Sequence, residues 1–117
     1  MFEMGRTWTT EYGSAENAKD YPYILKYSPY QNIRQGVQYP AIMFLSGDSD
    51  TRVAPLHARK MTAAMQATVM SEPEAERRPV LLHYDTHAGH SAGVSVAQGI
   101  HDTADELTFL WSETGGS

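Results

Sequence analysis

The feature that most constrains this chain is an unbroken apolar run, Ala41-Ile42-Met43-Phe44-Leu45, which gives way within a few residues to Asp48, Asp50 and Arg52. A strand with one wet face alternates apolar with polar residues, so a continuous run fits a strand covered on both faces, as in a parallel sheet. Gly47 is expected to break that strand. The polar loop from Asp48 to Arg52 then falls at its carboxyl end, where parallel α/β sheets present ligands and reacting groups.

The rest of the chain can be ordered around that strand. Val80-Leu81-Leu82-His83-Tyr84 is a shorter run with a polar residue inside it, suited to a strand nearer a sheet edge. Between the two runs, Leu56, Met61, Ala64, Met65 and Val69 recur at roughly helical spacing after Pro55, which predicts a crossover helix with this stripe facing the core. SEPEAERRP, residues 71–79, reads as a solvated connector. THAGHSAG, residues 86–93, is a small-residue loop after the second strand. In the last helix Val96, Ile100, Ala104, Leu107 and Trp111 fall 4, 4, 3 and 4 apart along one face.

The expected class is therefore α/β, with parallel strands at about 40–46 and 80–85, a crossover helix at about 55–70 and a carboxyl-terminal helix at about 95–112. A right-handed crossover puts both following loops on one edge of the sheet, so that Asp50 and His90 face each other. Residues 1–38 form an irregular lead-in with one short helix, capped by Asp20 and ended at Ser28-Pro29, in which Ile24 and Leu25 face inward.

Composition narrows the function classes. A net charge of −5, with Arg59-Lys60 and Arg77-Arg78 the only adjacent basic pairs, argues against a nucleic-acid partner. No stretch approaches the roughly 18 consecutive apolar residues of a membrane-spanning helix, and MFEMGRTWTT contains no apolar core of a signal peptide. Cytoplasm is the default compartment, with export of a longer precursor left open. The chain has no cysteine, which removes disulfides and thiolate metal sites. At 117 residues it is one domain at most and short for a complete α/β enzyme.

An acid after one strand and a histidine after the next match the last two members of a Ser…Asp…His triad on an α/β-hydrolase sheet. The carboxylate fixes the imidazole tautomer, which frees Nε2 to take a proton from the nucleophile. No GxSxG elbow occurs in these residues, and neither Ser46 nor Ser91 follows a strand in the way a nucleophile requires. His87 and His90 form an HxxH without a third ligand nearby, and DSDTR lacks the later glycine and glutamate of a calcium loop, so no metal or other cofactor is expected.

Four stretches together resemble the carboxyl-terminal end of the prolyl oligopeptidase family of serine peptidases: WTTEYGS, YSPYQNI, YPAIMFLSGDSDTRVAPLHARK and THAGHSAG. The resemblance spans nearly the whole chain. It implies the last two strands of an α/β-hydrolase catalytic domain, without the family's β-propeller, and cleavage of peptides after proline. It makes Asp50 the triad acid, with Asp48 the alternative, and His90 the general base. Arg52 is implied to bind a substrate carbonyl and Val53 to line the proline pocket. The serine elbow and oxyanion-hole groups lie upstream in the family, which implies a chain inactive by itself.

The partners expected are a proline-containing peptide substrate and a neighbour for the first strand. Two strands alone are marginal, so the free strand edge is expected to be filled by the missing amino-terminal part of the domain or by a second copy through strand pairing. The alternative is a non-catalytic module that folds by self-association or with a partner chain.

Overall fold

A computed structural model of the chain describes residues 3–50, 53–89 and 95–115. Two strands, β1 (Ile42–Ser49) and β2 (Val80–Gly89), pair in parallel, with Ile42 opposite Val80 and the ladder continuing to Gly47 opposite Asp85. Among the described residues four α-helices accompany them: α1 (Thr9–Tyr12), α2 (Tyr21–Tyr27), α3 (Leu56–Met70) and α4 (Val96–Glu113). This is the expected parallel pair with a crossover helix and a final helix. Among the described residues no helix is long and apolar enough to cross a membrane.

Both strands run further than their apolar residues. β1 passes through Gly47 to Ser49 and β2 takes in Thr86 to Gly89, so Gly47 does not break the strand. Backbone pairing carries the strands past the point where their side chains cease to be apolar. The ladder instead becomes irregular between Gly47 and Ser49, after which Ser49 stands opposite Gly89.

The core lies between α3 and the sheet. Met65, Val69 and Val80 are buried, and Ile33, Tyr39, Ile42, Phe44 and Met61 pack around them. The buried face of α3 is Thr62, Met65, Thr68 and Val69; Met61, Met65 and Val69 of the expected stripe meet the core, two threonines join them, and Leu56 is exposed. Thr62 and Thr68 are buried without loss because their hydroxyls donate to Ala58 O at 2.8 Å and Ala64 O at 2.9 Å within the helix. Arg77 closes the helix by donating to Glu72 O and Met70 O, and Gln38 bonds Glu76, which anchors the charged connector to the body.

The lead-in is more helical than its sequence suggests. A 3₁₀ turn at Glu3–Trp8 runs into α1, which ends at Gly13 with φ of 79°. Glycine is needed there: the backbone is left-handed, and a Cβ would meet the Asp20 carboxylate at 3.0 Å. Asp20 accepts from Ser14 N–H at 3.1 Å instead of capping α2. The other end of α2 is tied by Asn32, whose side-chain amide donates to Leu25 O and Ser28 O at 2.8 Å each. Ile24 is half-buried, but Leu25 is exposed.

The last helix forms where its spacing predicts. Ser95 caps α4 by accepting from Gln98 N–H at 3.1 Å. His83 of β2 reaches Asp105 at 3.1 Å and Asp102 at 3.7 Å, which turns that side of α4 toward the sheet. The apolar stripe therefore points away: Val96, Ile100, Leu107, Leu110 and Trp111 are all more than half exposed. The strands are also half open, with no residue of the Ala41–Leu45 run buried and Leu45 exposed.

The molecule is a slab of 51 × 40 × 19 Å with a radius of gyration of 16.8 Å, against about 13 Å for a compact domain of this length. Its accessible surface is 8653 Å² for 13.0 kDa, about 2,300 Å² above the roughly 6,300 Å² of a folded monomer of that mass.

Candidate active site

The site residues are held by the turn that joins β1 to α3. Asp50 follows the last residue of β1, and its Oδ1 accepts from Val53 N–H at 2.9 Å. This side-chain bond ties the end of β1 to Val53, next to the buried Ala54, whose carbonyl accepts from His57 N–H at 2.9 Å as α3 begins. Asp50 is half-buried at the carboxyl edge of the sheet, and Val53 is exposed beside it. Arg52 and His90 lie outside the described residues. The last paired residues of the ladder are Ser49 and Gly89, which immediately precede Asp50 and His90 in the sequence.

Beside this edge stands a cluster that sequence reasoning missed. The Asp48 carboxylate accepts from Arg59 Nη2 at 3.0 Å and from the Tyr84 hydroxyl, and Arg59 also donates to that hydroxyl. The guanidinium lies over the Tyr84 ring, 4.5 Å from its centroid. The hydrogen bond to the Asp48 carboxylate, aided by desolvation, holds the Tyr84 phenol above its usual pKa, because ionising it would lose that bond. Arg59 pulls the other way without overcoming it. Asp48, the alternative acid, thus has its carboxylate engaged by two neighbours.

Of the other histidines, His83 stands between two α4 carboxylates, His57 and His101 are on the surface, and His87 falls in β2.

A parallel strand pair joined by a crossover helix, with an acid just after the first strand, fits part of an α/β-hydrolase sheet. The chain belongs to the prolyl oligopeptidase family of serine peptidases, whose family model matches residues 2–117. It is 42% identical over 115 residues to prolyl oligopeptidase dbiP of Dendrothele bispora, covering 97% of this chain and 15% of that protein. Prolyl endopeptidase of Elizabethkingia miricola is 39% identical over 115 residues, with 97% and 16% covered. Among solved structures, prolyl oligopeptidase B from Galerina marginata, bound to a 35mer hydrolysis and macrocyclization substrate, superposes with a TM-score of 0.85 at 29% identity, covering 97% of this chain and 15% of that one. The chain thus spans about 15% of the length of the relatives it matches.

Proposed function

We propose that this chain is the carboxyl-terminal portion of a serine peptidase catalytic domain, supplying acid and base for hydrolysis of peptide bonds after proline. Asp50 accepts Nδ1–H of His90, which leaves Nε2 to take a proton from a serine carried on other polypeptide. Arg52 binds a substrate carbonyl, and Val53 lines the pocket for the proline ring. The observation that carries this reading is the ladder end: Ser49 and Gly89 are paired, and the next residues are Asp50 and His90. Family membership supplies the serine's role, and the bound peptide of the Galerina marginata relative supplies the substrate class.

The serine-bearing polypeptide is also the neighbour that β1 and α4 lack. Its occupant is the upstream part of the domain, and the exposed apolar stripe of α4 is part of the surface it covers. That stripe also favours the second reading, a non-catalytic module that self-associates.

The test grafts this chain onto the Elizabethkingia miricola enzyme in place of the matching 115 residues. The chimera is expected to react with a serine-directed fluorophosphonate and to cleave a proline-containing chromogenic peptide. Turnover is lost on His90→Ala, and KM rises on Arg52→Ala with folding intact. The isolated chain is expected to show neither labelling nor turnover. A well-folded chimera whose activity survives His90→Ala refutes the triad reading.

A further inference from the structure

The ladder between β1 and β2 is weakest where the candidate site needs it most rigid. From Gly47 to Ser49 β1 advances two residues while β2 advances four, from Asp85 to Gly89, so regular pairing is interrupted one step before Asp50. Extra residues of this kind leave backbone groups out of the ladder and let the strand end bend. Something other than backbone pairing must then fix the direction in which the turn leaves the sheet.

Three side chains from three elements meet at that interruption. Asp48 lies within the irregular step of β1, Tyr84 is the last but one β2 residue before the step, and Arg59 sits in the first turn of α3, on the far side of the Asp50 turn. Arg59 bonds both Asp48 Oδ1, at 3.0 Å, and the Tyr84 hydroxyl, and its guanidinium stacks on the Tyr84 ring. Asp50, which accepts from Val53 N–H, lies in sequence between Asp48 and Arg59, so the Arg59–Asp48 contact closes a loop that contains it.

We propose that Arg59, with Tyr84 and Asp48, is a clamp that positions the Asp50 turn, substituting side-chain bonds for the interrupted ladder. The clamp touches no substrate; it acts through Asp50, and its significance for catalysis rests on the peptidase reading above. A guanidinium suits this place because its planar fork bonds two acceptors while its face stacks on an aromatic ring, which a lysine ammonium does not reproduce. Because Asp48 and Arg59 are about half exposed, the clamp contributes little to global stability. Its effect is local.

The experiment is hydrogen–deuterium exchange read by mass spectrometry on the full chain, comparing the wild type with Arg59→Met, Arg59→Lys, Tyr84→Phe and the Arg59→Met/Tyr84→Phe double variant. Peptides spanning 46–56 report the turn, and peptides spanning 62–70 report the α3 core. Arg59→Met is expected to speed exchange in 46–56 by about threefold to tenfold and to leave 62–70 unchanged. Tyr84→Phe acts in the same direction, and the double variant adds little to the larger single effect, as members of one network do. Arg59→Lys restores part of the protection.

Unchanged exchange in 46–56 overturns the clamp. So does faster exchange throughout both segments, which is the mark of a merely structural role. A wild-type turn that already exchanges at unprotected rates overturns it as well. No turnover enters the readout, so failure of the peptidase reading appears in the chimera and failure of the clamp appears here.

Discussion

Met65 is the residue on which the small core depends, and truncating it tests the orientation of α3 quantitatively. It is 1% exposed and packs with Val69 and Val80 inside a ring of partly buried apolar residues. Met65→Ala removes three heavy atoms from that site. At about 0.8 kcal/mol per buried methylene, transfer alone costs about 2.4 kcal/mol. The residual cavity raises the total to about 3 kcal/mol, within the roughly 2–5 kcal/mol of such truncations. A chain of 117 residues has about 6 kcal/mol at the low end of ordinary stability, so the loss is about half the total. Leu56→Ala, at a position 43% exposed, should cost less than about 1 kcal/mol. Urea unfolding followed by circular dichroism measures both. Equal losses, or a larger one at Leu56, refute the packing of α3 described above.

Two further outcomes follow from the surface. The raised pKa of Tyr84 means that its bond to Asp48 contributes stability fully below the ordinary phenol value of about 10 and loses it as pH rises through the higher folded value; the stability difference between wild type and Tyr84→Phe should therefore be flat through neutral pH and shrink in alkali, and a difference that grows there contradicts the assignment. The exposed α4 stripe should drive association in the absence of a covering polypeptide, so that Leu107→Lys/Trp111→Lys shifts sedimentation toward monomer without loss of helix; a wild type that is monodisperse and cooperatively unfolding as a monomer contradicts the need for a neighbour.

The large elements were legible because each repeats a physical pattern over many residues. The continuous run at Ala41–Leu45 and the helical spacings after Pro55 and Ser95 marked β1, α3 and α4. What the patterns left open was which face each helix turns inward, because that depends on what else is present to cover it. On α4, His83 draws Asp102 and Asp105 toward the sheet and leaves Leu107 and Trp111 outside. On α3, threonines that bond their own helix carbonyls take core positions that hydropathy assigns to the surface. The helical turns of Glu3–Tyr12 have no period to read and close against Asp20 through Gly13.

The place of Asp50 just after the first strand was legible in the same way, and the resemblance of DTRVAP and THAGHSAG to the family implied its role and partners. The clamp was not legible. Asp48, Arg59 and Tyr84 are separated by 11 and 25 residues, and only the strand register and the return of α3 bring them together.

The most direct test of the central claim is the turnover of the chimera carrying Asp50→Asn. An asparagine keeps the shape of the turn but holds the His90 imidazole in the wrong tautomer, and in a serine-protease triad the same change lowers kcat by about 10⁴. Turnover is expected to fall by that order, with KM little changed and with folding intact by thermal melt. A chimera that retains kcat within a few-fold of its parent would contradict it.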